Sequence, residues 1–255
     1  MHAWFMLLTL AGAAPPSVED QFVFVPGETF RMGAPEGFPM RNRTELPVHE
    51  VTVGDLWVLR TEVTQALWTS VMGTAPSSSI HPRFPVDRVS WLDAVHFANR
   101  LSDREGLTRA YEIRGGEVRW NQDATGYRLL TEAEWEHAAR AGENTRFSGT
   151  NDESQVWIEP KSGGRLHAVC TLPPNAYGLC DLSGNAAEWV WDRYAGYGAA
   201  SQANPNGPAR GDYRVNRGGA FDDTARFARV TSRGRALPSF RQPGLGFRIA
   251  RSARP

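Results

Sequence analysis

The chain predicts an irregular, loop-rich α+β domain, and three observations carry that expectation. Helix signals with clear starts and stops are few. Short alternating apolar runs sit between them. The 25 glycines and 17 prolines then imply long connections.

The clearest helix signal is "RLLTEAEWEHAARAG". Thr131 is placed to cap it with Glu134 at the third helical position, Leu130 and Trp135 can form a hydrophobic staple, and Gly142 supplies the stop. "VSWLDAVHFANRLSDREG" starts in the same way at Ser90, with Asp93 in place of the preferred glutamate, and stops at Gly106. "VTQALWTSVMG" begins at Thr64 and ends at Gly73. The runs "QFVFV", "HEVTVGDLWVL", "EWVWD" and "GFRIAR" read as strands. No internal repeat, heptad run or linker divides the chain. One domain over residues 16–255 therefore follows a short leader.

That leader, "MHAWFMLLTLAGAAPP", has an apolar run from Trp4 to Leu10 and small residues at Ala11–Ala14, so residues 1–15 read as a signal peptide. The alternatives are a buried N-terminal strand or a misassigned start. The signal-peptide reading places the protein in the periplasm or outside the cell. No cysteine follows the run to take a lipid anchor, and nothing later is apolar enough to span a membrane.

The 28 basic and 28 acidic residues cancel, which leaves no field to favour nucleic acid or an anionic membrane. Lys161 is the only lysine. The remaining cations are arginines, whose planar fork suits internal pairing with carboxylates and carbonyls. The two cysteines, Cys170 and Cys180, flank a Pro-Pro-Asn loop; in an exported protein they read as a disulfide, and in a cytosolic one as two thiols.

The segments "FVPGETFRMGAPEG", "PVHEVTVGDLWVLRTEVTQALW", "PVDRVSWLDAVHFANRLS", "YRLLTEAEWEHAARAG", "PNAYGLCDLSGNAAEWVWD", "VNRGGAF" and "GLGFRIAR" run in order from Val25 to Arg251. Together they resemble the formylglycine-generating enzyme, or sulfatase-modifying factor, family, and the resemblance implies a C-type-lectin-like fold. The enzymes of that family resemble copper oxidases, with a serine directly after the paired glycines and a cysteine pair downstream. Here those positions fall on Ala220, Asp223 and Ala228. A carboxylate beside a methyl group does not replace the thiolate pair that holds Cu(I), so no copper is expected. The six histidines show no metal-ligand spacing that would rebuild a site near Asp222 and Asp223.

In "SGNAAEWVWD", an asparagine carbonyl and a carboxylate are hard oxygen ligands, and the resemblance carries a structural calcium site onto Asn185 and Glu188. The competing reading has both side chains satisfying loop amides. Two loops, "FDDTARFARV" and "LPSFRQPG", would be displayed on the frame, and Asp222, Asp223, Arg226, Phe227, Arg229, Phe240 and Arg241 form a candidate recognition or ion-pairing surface; the plain alternative has the two aspartates capping a loop or pairing with Arg226 or Arg229. These readings favour a non-catalytic binding or accessory module for a protein or small ligand. An oxidoreductase with an unconventional metal site is the alternative, and a structural partner subunit a third.

Overall fold

A computed structural model describes residues 18–253. The expected signal peptide lies outside the described residues.

The predicted helices form at α1 (Gln65–Met72), α2 (Trp91–Arg104) and α3 (Glu132–Arg140). Thr131 accepts the Glu134 N–H at 3.2 Å and Glu134 accepts the Thr131 N–H at 2.8 Å, the reciprocal cap that the sequence announces. Ser90 and Asp93 do the same for α2. Helix α1 closes on Gly73 in the left-handed conformation, with φ of 72°. Helix α3 ends one residue earlier than Gly142, on Ala141 at φ 47°.

Among the described residues, thirteen strands surround these helices. The first sheet runs β1 (Phe22–Val25), β4 (Leu56–Leu59), β13 (Ile249–Ser252) and β7 (Arg128–Leu129). The second runs β11 (Arg233–Ala236), β10 (Arg214–Arg217), β8 (Ala187–Arg193) and β12 (Leu245–Phe247). A third joins β2 (Glu28–Met32), β3 (His49–Val53) and the short β9 (Gln202–Ala203), and β5 (Tyr111–Arg114) pairs with β6 (Glu117–Trp120) as a hairpin.

The run "GFRIAR", expected as one strand, is divided at Arg248. Residues before it pair with β8, and residues after it pair with β4 and β7. The chain changes sheets there because the Arg248 side chain, fully buried, turns inward to bond both layers. Along β8 the side chains alternate. Trp189 and Trp191 face Trp91 and Tyr111, with Trp191 stacked on Tyr111 at 5.2 Å, while Glu188, Val190 and Asp192 face α3.

Arginines pin these layers together. Arg248 donates to both oxygens of Glu188 (2.7–3.2 Å) and to the carbonyls of Leu59, Arg60 and Cys180. Arg229 forks onto Glu45 at 2.6 and 2.8 Å, Arg233 onto Glu132 at 2.6 and 2.7 Å, and Arg128 onto Glu134 at 2.7 and 2.8 Å. Arg217 binds Glu136, which also holds Arg140. The Arg248, Arg229, Arg233 and Arg217 forks join elements far apart in sequence and so replace helix and strand packing that a loop-rich chain lacks. Cys170 and Cys180 are joined by a disulfide.

Candidate functional site

The segment after the paired glycines is a tight loop on the second sheet. Gly218 (φ 91°) and Gly219 (φ 69°) leave β10 in conformations that side chains rarely adopt. A Cβ on Gly219 would lie 2.9 Å from the Phe227 backbone. The glycines thus let Ala220–Ala228 fold back onto their own base.

Within that loop Asp223 is committed locally. Its Oδ2 accepts the Ala220 N–H at 2.9 Å, and its own N–H donates to the Ala220 carbonyl at 3.0 Å. Burial raises the Asp223 carboxyl above its usual range, the Ala220 hydrogen bond opposes that, and the neighbouring Asp222 charge adds to it. The loop is fixed from outside as well: Phe221 N–H donates to Asn185 O at 2.9 Å, Ser162 Oγ to Phe221 O at 2.6 Å, and Glu159 N–H to Asp223 O at 3.0 Å. Ala228 is fully buried against Phe147, Val156 and Ile158. Of the two positions that the sequence reading aligns with thiolates, Asp223 is thus a turn-capping carboxylate and Ala228 a methyl group in an apolar cluster.

The candidate surface divides. Asp222, Arg226, Phe227 and Phe240 are exposed, with the Arg226 guanidinium 5.9 Å from the Phe227 ring. Arg229 does not belong to that surface: it is 1% exposed and forked onto Glu45. Arg241 pairs with Asp93 on α2 at 2.7 Å. Neither arginine pairs with Asp222 or Asp223, because acids from other elements reach them first. Of the two plain readings of the aspartates, capping of the loop and pairing with a nearby arginine, Asp223 takes the first.

The calcium expectation at Asn185 and Glu188 meets a different chemistry. Glu188 is 1% exposed and has Arg248 and the Trp135 indole N–H (2.8 Å) on its two oxygens. Asn185 Oδ1 accepts the His167 N–H at 3.0 Å, and its amide donates to Glu62 Oε1 at 3.1 Å. A carboxylate already neutralised by a guanidinium lacks the charge that attracts a divalent ion, so this pair does not fit a calcium site. Among the described residues no group of three or more His, Cys, Asp or Glu side chains is arranged to hold a metal. The same region gathers Glu62, Asp181 and Glu188 around one cation, Arg248. Burial, and secondarily Asp181, raises Glu62 well above its usual value, and burial pushes Asp181 up to about 6.

The frame and this loop define a sulfatase-modifying-factor-type domain in its C-type-lectin-like fold, and the chain belongs to that family: the model of the sulfatase-modifying factor enzyme 1-like domain matches residues 9–253. Among its relatives, the chaperone protein LppX of Paenibacillus barcinonensis is 28% identical over 99% of this chain and 100% of that protein. The formylglycine-generating enzyme of Streptomyces coelicolor is 30% identical over 94% and 92%. Among solved structures, variable protein 1 of Treponema denticola superposes with a TM-score of 0.83 at 31% identity, covering 91% of this chain and 95% of that one. PvdO from Pseudomonas aeruginosa superposes with a TM-score of 0.75 at 27% identity, covering 91% and 94%.

Proposed function

We propose that this protein is an exported, non-catalytic member of the family, acting as a binding or accessory module for a protein or small ligand. One observation carries the reading. At the positions that correspond to the family's serine and cysteine pair stand Ala220, Asp223 and Ala228, and the two downstream residues are engaged in a turn and in an apolar cluster. A Cu(I) site needs soft thiolates, and the cysteines of this chain are joined to each other elsewhere. The likeness to a protein named as a chaperone, along the whole of both chains, supports an accessory role. The disulfide supports an oxidising compartment, in keeping with export by a signal peptide at residues 1–15.

The binding face in this reading carries Asp222, Arg226, Phe227 and Phe240, with Phe227 50% and Phe240 44% exposed. Half-exposed aromatics beside arginine are the residue types that dominate recognition energetics. The test is a triple variant, Arg226→Glu, Phe227→Ser and Phe240→Ser, alongside wild type in cross-linking of the protein expressed in its exported compartment. A partner cross-linked by wild type and lost in the variant, with Tm unchanged, supports this face. An identical cross-linking pattern in both removes it.

A further inference from the structure

A second site lies apart from that loop, where the N-terminus of α3 meets β3, the end of β8 and the segment 195–208. A cavity of about 290 Å³ opens there. Met32, Tyr197, Pro205 and Pro208 give it apolar walls, and Asp192 and His49 lie on its lining together with Glu132, Arg193 and Arg233.

Asp192 is 5% exposed, and its Oδ2 accepts the Glu132 N–H at the first residue of α3, at 2.7 Å. Its Oδ1 has no hydrogen-bond donor among the described residues, although Gly207 closes tightly against the side chain. A Cβ on Gly207 would come within 3.0 Å of that oxygen. His49 is 4% exposed; its Nδ1 donates to the Pro47 carbonyl at 3.1 Å, so in that tautomer Nε2 is the acceptor.

The charges around Asp192 are unequally satisfied. Glu132 is matched by the Arg233 fork and also receives the Tyr197 hydroxyl at 3.2 Å. Glu134, two residues further along α3, is matched by Arg128. Arg193, next to Asp192 on β8, donates to the Gly211 carbonyl. Arg214 on β10 lies over Trp91, 3.6 Å from the ring centre, and bonds the Trp191 carbonyl. Asp192 is thus a buried carboxylate with no cation bonded to it, at the edge of a cavity that can admit one.

We propose that this cavity is a binding site for a small primary amine with an apolar body, whose ammonium group donates to Asp192 Oδ1 and His49 Nε2. A neutral polyol has donors too, but it leaves the carboxylate without a counter-charge, so the charge imbalance selects the amine. This site shares no residue with the proposed binding face, and its test succeeds or fails independently of it.

The pH dependence follows from the same surroundings. Burial first, then the charge of Glu132, pushes the Asp192 carboxyl up to about 8, against the hydrogen bond from α3 and the Arg233 charge. Below that pH an incoming ammonium must displace a proton, so affinity should rise about tenfold per pH unit up to about pH 8 and level off above it.

The experiment is titration calorimetry of the folded protein with cyclohexylamine, and with cyclohexanol as the neutral counterpart, at pH 6.5 and 8.5 in buffers of different ionisation enthalpy. The expected result is amine binding, no alcohol binding, release of about one proton at pH 6.5, and at least tenfold weaker binding by Asp192→Asn. Asparagine can still accept the Glu132 N–H. Equal binding of amine and alcohol, or no amine binding at 10 mM on the order used for fragments, overturns the proposal. If Asp192→Asn does not fold, the proton count decides alone: amine binding at pH 6.5 without proton release overturns it.

Discussion

Replacing Arg248 with alanine should be among the most destabilising single changes in this protein, and the structure gives the size of the effect. The guanidinium is fully buried and uses its N–H groups on Glu188, Leu59 O, Arg60 O and Cys180 O. Its removal leaves the Glu188 charge uncompensated beside Glu62 and Asp181, which burial and neighbouring carboxylate charges already raise. Breaking a buried pair from one side costs about 3–5 kcal/mol, and the released carbonyls add to that unless water enters. For a domain of this length each kcal/mol is worth roughly 2–4 °C, so Tm should fall by about 6–20 °C. Arg241→Ala breaks a pair whose side chains are 53% and 27% exposed. Solvent screening limits that loss to at most about 1 kcal/mol. Thermal unfolding by circular dichroism, with Arg248→Met/Glu188→Gln as the double variant, measures both. The double variant should recover part of the loss, since neither charge is stranded. An Arg248→Ala protein melting within 3 °C of wild type, on the scale of a surface pair, would refute the reasoning.

Three further outcomes follow from the same geometry. A calcium chelator should leave Tm unchanged as far as Asn185 and Glu188 are concerned, because Arg248 holds the carboxylate; a chelator-induced fall that Glu188→Gln abolishes would restore the metal reading. Replacing both Cys170 and Cys180 with serine opens a loop with a sequence separation of 10 residues and should cost about 3 kcal/mol, seen as a lowered denaturant midpoint. Stability should also decline as pH rises from about 4 to 8. Asp181 and Asp192, pushed up to about 6 and about 8, bind protons more tightly folded than unfolded, so their contribution is full below their unfolded values and lost as pH rises through the folded ones. Below pH 4 the sign reverses through Glu136: burial alone would raise it, but Arg140 and Arg217 outweigh that and hold it low. Asp192→Asn should flatten the stretch between pH 6 and 8, and an unaltered slope in that variant would show that Asp192 does not titrate there.

The helices were legible because their ends are local events. Ser90, Thr131 and Gly73 each act within a few residues, and each behaves as its neighbours dictate. The Gly-Gly hairpin "YEIRGGEVRW" carried a usable signal, two alternating runs around a two-residue turn, that the sequence reading passed over. The break at Arg248 had no local sign, since it depends on Glu188 and on carbonyls from β4 and the Cys180 turn. The site shows the same limit. The thiolate position of Asp223 is what the family resemblance implies, and its cap on Ala220, three residues away, is local enough to expect from the sequence; that Arg229 leaves the surface for Glu45, 184 residues away, is tertiary. Asp192 drew no notice because a carboxylate ending an alternating strand reads as solvated until a helix N-terminus and Gly207 enclose it.

The central claim, that this family member lacks the copper oxidase chemistry of its enzyme relatives, is tested most directly by oxygen uptake of the purified protein supplied with Cu(I) and a cysteine-containing peptide. The account predicts uptake no greater than that of the same copper and peptide with an unrelated protein. It also predicts that Asp223→Cys/Ala228→Cys gains Cu(I) binding which wild type lacks. Peptide-dependent uptake by the wild-type chain, with aldehyde formed at the peptide cysteine, would contradict it.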